Sequence, residues 1–240
     1  MLRSRTGLNL SFVDIVRAIH HVYNISYPLA IFLAFGGLIT SGKFSFRGAT
    51  PSGTQPFHDA WYSRLLLSIL SALTYFWTLD LSSLSARGSF KITHDASLVH
   101  LDTVPSTGPD PQMLRNFVKY ATEASNNNGH GISLLDIAHY HARRERTSGP
   151  LDATHKRIAL GECAFTWLML RGSVAVNTTP AVYTEHVIPP ERLQQWLGEE
   201  RLPDGWWDEG GVRPSQVIGL QRVRQVASIV ERFVKKDTDS

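Results

Sequence analysis

Apolar residues recur at helical spacing along most of the chain. Phe12, Ile15, Val16, Ile19 and Val22 share a face behind Ser11 and Asp14, a capping-box-like pair, and predict a helix over about Phe12–Tyr23. Ser26 and Pro28 suit the start of a second, more uniformly apolar helix that closes near Gly42. Residues 43–60 are rich in Gly, Ser, Thr and Pro and read as a surface loop. A third helix, about Ser63–Trp77, is apolar nearly all round, which predicts a central buried element. Residues 80–110 show no sustained period and read as an ordered loop.

Pro111 opens a further helix through Met113, Leu114, Phe117, Val118 and Tyr120, broken by Asn126–Gly129. Ser133 with Asp136 is another capping-box-like start, followed by Leu134, Ile137, Ala138 and His141 on one face. Helices are also predicted over about His155–Leu170, through Leu193 and Trp196 after Pro189–Pro190, and over about Pro214–Phe233. The pattern shows neither strand nor repeat, so the expected fold is all-α, with residues 1–240 forming one compact helical domain.

Bulk properties narrow the partners. With 24 basic and 21 acidic residues the net charge is only +3, and the basic residues are scattered. Arg143, Arg144 and Arg146 read as the solvated end of a helix, and nucleic acid is not an expected partner. Tyr27–Ile39 and Leu65–Leu79 are apolar but shorter than the ~20 residues of a spanning helix, so no membrane span is expected. The opening residues show no apolar stretch and no small-residue cleavage site, which predicts an intracellular, cytoplasmic protein. Cys163 is the only cysteine, and this excludes an internal disulfide and any multi-cysteine metal site. Oligomeric state leaves no trace in the pattern.

Four segments carry a resemblance. The first is Lys91-Ile92-Thr93-His94-Asp95-Ala96-Ser97-Leu98 with Asp102 downstream, and the second is Gly161-Glu162-Cys163-Ala164. The third is Glu200-Arg201-Leu202-Pro203-Asp204-Gly205-Trp206, and the fourth is Tyr23-Asn24-Ile25-Ser26 before an apolar helix. In order and spacing the set resembles the fungal heme-thiolate peroxidase/peroxygenase (chloroperoxidase-type, heme haloperoxidase) family. The resemblance implies that family's helical fold and a heme b cofactor held by the thiolate of an N-terminal Pro-Cys-Pro segment. Thiolate donation of that kind favours O–O cleavage of bound peroxide.

By motif, Glu162 is implied as the acid/base that moves the peroxide proton, with His94 as its orienting partner. Asp95 and Ser97 are implied near the cofactor. The residues agree on their own terms. A carboxyl beside Ala164, Phe165 and Trp167 on an apolar helix should be desolvated, which favours its protonated form and suits proton shuttling. Read structurally instead, Glu162 is a satisfied buried carboxylate, His94 ties a loop to a helix, and Asp95 caps backbone amides beside Ser97. Glu200 and Arg201 read as an ion pair.

Two departures stand out. Met1 falls where the family leaves its Pro-Cys-Pro region, so no proximal cysteine precedes the motif, and Cys163 neighbours the implied distal Glu162. The family's magnesium-binding glutamate is Thr93 here, and a hydroxyl replaces a carboxylate poorly around a hard dication, so no metal site is expected. Both changes point to an altered or absent heme. His20 and His21 are alternative axial ligands, although a histidine pair at a helix's polar edge reads more simply as surface. His100, His139 and His141 lack metal-ligand spacing, with His139 and His141 pointing apart.

The leading expectation is an oxidoreductase, a peroxidase or peroxygenase tailoring a small apolar or aromatic intermediate of fungal secondary metabolism. The alternative is a heme-free cyclase, isomerase or dehydratase, including a Diels–Alder-type pericyclase, using a Glu–His pair in an emptied apolar pocket. A non-enzymatic carrier is the third class.

Overall fold

The structure, a computed structural model, describes residues 7–44, 61–85, 93–102, 108–124, 131–149, 151–171 and 186–238. Residues 45–60 of the loop expected over 43–60, and the expected helix break at Asn126–Gly129, lie outside them. The architecture is mostly helical, as the pattern predicts. It divides into two compact units, Met1–Thr93 and His94–Ser240.

In the first unit, α1 (Phe12–Tyr23) starts where Ser11 Oγ accepts the Asp14 amide at 3.1 Å and donates to the Asp14 carboxylate at 2.7 Å. Asn24 ends it in the left-handed conformation, φ 53°, which Asn adopts more readily than most residues. Pro28 sits in the first turn of α2 (Tyr27–Ser41), where its missing N–H has no intrahelical role to lose. These helices pack on each other through buried Phe12, Val16, Leu29, Ala30 and Leu38.

Two expectations fail here. The first is the absence of strands. Leu10–Ser11 (β1), Lys43–Phe44 (β2) and Trp77–Leu79 (β3) form a small antiparallel sheet in the order β1-β3-β2, with Leu10 opposite Leu79 and Phe44 opposite Trp77. Two- and three-residue strands are too short to show a period of two. The second is the buried third helix. α3 runs Trp61–Leu73, so Trp77 belongs to β3, and Leu67 is buried while Leu65, Leu66, Ile69 and Leu73 are exposed. An all-apolar run does not say which of its faces is covered.

In the second unit, α5 (Leu134–Thr147) is the centre. α4 (Pro111–Ala124), α6 (Ala153–Leu170) and α8 (Leu220–Thr238) all pack on it, and α6 and α8 also pack on each other. A short α7 (Pro190–Leu193) runs on into one π turn, Gln194–Gly198. The final helix begins later and ends later than its apolar pattern predicts. The Ser133–Asp136 capping box forms in full and is buried. Asp152 caps α6 through the amides of Thr154 and His155. Phe117, Ile132, Leu134, Ile137, Trp167, Leu168 and Val230 fill the interior, each such side chain contributing about 1.5–3 kcal/mol of burial. Among the described residues no helix is long and apolar enough to cross a membrane.

Candidate functional site

The second unit begins with a segment, 94–102, that has no regular structure and is held by one carboxylate. Asp102 Oδ1 accepts the Ala96 amide at 2.8 Å and an Arg144 guanidinium N–H at 2.8 Å, while Oδ2 accepts Ser148 Oγ at 2.7 Å. Arg144 also donates from Nε to the Ser97 carbonyl at 3.2 Å. Burial alone would raise the Asp102 affinity for protons. The Ser148 and Ala96 hydrogen bonds and the Arg144 charge outweigh it and hold the carboxyl below the usual carboxylate range. Ala96 takes φ 60°, a left-handed turn that a non-glycine residue keeps only when its surroundings fix it. Arg144 is therefore a clamp, not the solvated helix end that its charged neighbourhood suggests.

The clamp presents His94 and Ser97 to α6. His94 Nε2 lies 3.4 Å from Glu162 Oε2, and Ser97 Oγ donates to Glu162 Oε1 at 3.1 Å. The two residues singled out from sequence are thus neighbours, and Ser97 joins them. On its other side His94 Nδ1 sits 2.7 Å from the Asp95 carbonyl. A carbonyl only accepts, so Nδ1 carries a proton, and Nε2 of a neutral ring turns a bare lone pair toward Glu162. A bond between Nε2 and Oε2 then requires one shared proton, from a protonated carboxyl or from an imidazolium. At 3.4 Å the pair is close but not aligned as a hydrogen bond, and Oε2 is buried without a hydrogen-bond partner among the described residues. The His94 side chain is 5% exposed and that of Glu162 25%, with Oε2 itself buried. His100 Nδ1 lies 3.3 Å from Ser97 Oγ and extends the chain of contacts to His100, Ser97, Glu162 and His94.

The remaining sequence candidates fall elsewhere. Asp95 contributes its carbonyl to His94, and the Ala96 amide goes to Asp102. Thr93, in the first unit, donates its hydroxyl to the Leu84 carbonyl at 2.9 Å. His20 Nδ1 lies 2.7 Å from the Ile25 carbonyl with its ring stacked on Tyr27, a helix-end role. Arg201 pairs with Glu199 at 2.6 Å and Asp204 at 2.7 Å on the surface, which corrects the expected pairing with Glu200. Cys163 is fully buried, and burial followed by the nearby Glu162 charge pushes its thiol well above the usual range. No cluster of three or more His, Cys, Asp or Glu suited to a metal ion occurs among the described residues.

Sequence reasoning missed Arg144, which lies on α5; its place in a helix two turns behind the buried Ile137 was the available signal.

Residues 3–210 match the model of the family described as peroxidase, family 2. No curated protein matches the chain.

Proposed function

The chain belongs to peroxidase family 2, and on that premise we propose a peroxide-using oxidoreductase in which Glu162 carries the proton. His94 and Ser97 hold its carboxyl in place. The observation that supports this reading is the approach of His94 Nε2 to 3.4 Å from Glu162 Oε2, a buried carboxyl oxygen that accepts no hydrogen bond among the described residues. In its ionised form Glu162 takes the proton from one oxygen of a bound peroxide and gives it to the other, so that this oxygen leaves as water or alcohol while the remaining oxygen passes to the organic substrate, which is oxidised by two electrons. Ser97 fixes Oε1, which leaves Oε2 as the transferring atom, and His94 offers the proton an alternative seat. The electrons come from an organic substrate, and a small apolar or aromatic metabolite of a biosynthetic pathway suits the family reading.

A thiolate-held heme does not fit the described residues. The one thiol is sealed, resists ionisation and adjoins Glu162 in the chain, while Thr93 spends its hydroxyl on a carbonyl. No step is therefore assigned to heme. The same mismatch favours a second reading, a heme-free cyclase, isomerase or dehydratase working by acid–base catalysis at Glu162 and His94. Hydrogen peroxide consumption by the full chain tests the first reading. Glu162→Gln is expected to lower the rate on the order of 10²-fold, and His94→Gln to lower it less. Wild-type protein that consumes no peroxide after growth with heme and shows no Soret band overturns the peroxidase reading in favour of the second.

A further inference from the structure

We propose that His100 is a positioning residue of this site, whose Nδ1–H donates to Ser97 Oγ and so commits the single hydroxyl proton of Ser97 to Glu162 Oε1. The inference deepens the proposed function and rests on reading ionised Glu162 as the proton carrier.

Ser97 Oγ stands between two groups, Glu162 Oε1 at 3.1 Å and His100 Nδ1 at 3.3 Å. A hydroxyl has one proton to give, and an ionised carboxylate only accepts. The Ser97 proton therefore goes to Oε1. What Oγ then turns toward His100 is a lone pair, and a bare Nδ1 would set two lone pairs against each other. Nδ1 carries the proton, and Nε2 is bare in the neutral ring. A free neutral imidazole favours the opposite tautomer, so the contact gives His100 a signature that an ordinary surface histidine lacks.

The chain of hydrogen bonds has one other consistent arrangement. With Glu162 protonated on Oε1, the carboxyl donates to Ser97 Oγ, and Ser97 donates to a bare His100 Nδ1. Between the two states Glu162 gains a proton and Ser97 keeps one, while neutral His100 gives up the Nδ1 proton and takes one from solvent on Nε2. A ring held as Nδ1–H thus favours the carboxylate and leaves Oε2 as the atom that receives the peroxide proton. The backbone prepares this contact. Both residues lie on the segment that Asp102 and Arg144 hold, with Arg144 3.2 Å from the Ser97 carbonyl and 3.5 Å from that of His100. Ser97 is 7% exposed, so water competes little for its hydroxyl, while His100 is half-buried and exchanges its proton with solvent.

The tautomer is read by long-range ¹H–¹⁵N NMR on the full chain, above the pH at which His100 titrates. The wild-type ring is expected to carry its proton on Nδ1, and in Ser97→Ala to carry it mainly on Nε2. In hydrogen peroxide turnover, His100→Ala is expected to lower kcat roughly 5-fold with little change in KM, the scale of one hydrogen bond. His100→Asn, whose amide N–H falls near the place of Nδ1, is expected to restore most of that loss. A neutral wild-type ring protonated on Nε2, or a tautomer indifferent to Ser97→Ala, overturns the inference. So does His100→Ala with unchanged turnover, or His100→Asn as impaired as His100→Ala. An Nδ1–H ring that responds to Ser97→Ala, together with undiminished turnover in Glu162→Gln, overturns the proposed function alone.

Discussion

At the scale of residues, the site is an exercise in how many protons fit among few atoms. His94 Nδ1 is committed to the Asp95 carbonyl and Ser97 Oγ to Glu162 Oε1, so the open position is the gap between Nε2 and Oε2. Cys163, next in sequence, is the opposite case, a thiol that burial holds in its neutral form. Native protein is expected to resist alkylation by iodoacetamide, with Cys163 reacting only after denaturation; rapid labelling of folded protein would contradict its burial. Glu162 and His94 were legible in the sequence because a motif and an apolar helix pointed to each. Arg144 was not. Arg143, Arg144 and Arg146 form one run of charge, and only packing separates the 15%-exposed Arg144 side chain from its solvated neighbours.

At the scale of elements, the segment 94–102 depends on α5 for its shape. Arg144→Met removes the charge and the hydrogen bonds to Asp102 and the Ser97 carbonyl while keeping much of the side-chain volume. It is expected to cost about 2 kcal/mol in urea denaturation, the range for hydrogen bonds to charged groups, and to lower turnover by displacing His94 and Ser97. Unchanged stability and unchanged turnover together would show that Asp102 alone holds the segment. Ser133→Ala strips a buried N-cap from α5 and is expected to cost about 1–2 kcal/mol. Helices of this kind were readable because caps and a period of 3.6 announce them: α1 spans the predicted residues and α5 starts at its predicted cap. The strands were not, since Leu10–Ser11 and Lys43–Phe44 are pinned by pairing with β3, a contact distant in sequence. The misjudged burial of α3 has the same origin, because uniform apolarity carries no direction.

At the scale of the whole molecule, two groups of titratable side chains set separate acid limits. His141 binds its proton less readily in the folded chain than at its ordinary 6.5, so the unfolded chain takes up a proton first as pH falls. Its contribution to stability is complete above that value and is lost below it. Asp102 and Asp80 are held below their ordinary 3.8, so their contributions persist down to that value and are lost as pH falls further. Stability measured against pH is therefore expected to fall in two stages, and His141→Gln, if folded, to remove the upper one. The proposed function rests on one carboxyl, Glu162, held by Ser97 and approached by His94. The most direct test is chemical rescue: hydrogen peroxide consumption by Glu162→Ala with and without added formate. The account predicts a loss on the order of 10²-fold, partly restored as formate rises and not restored by equal nitrate. A Glu162→Ala protein that consumes peroxide as fast as wild type would contradict it.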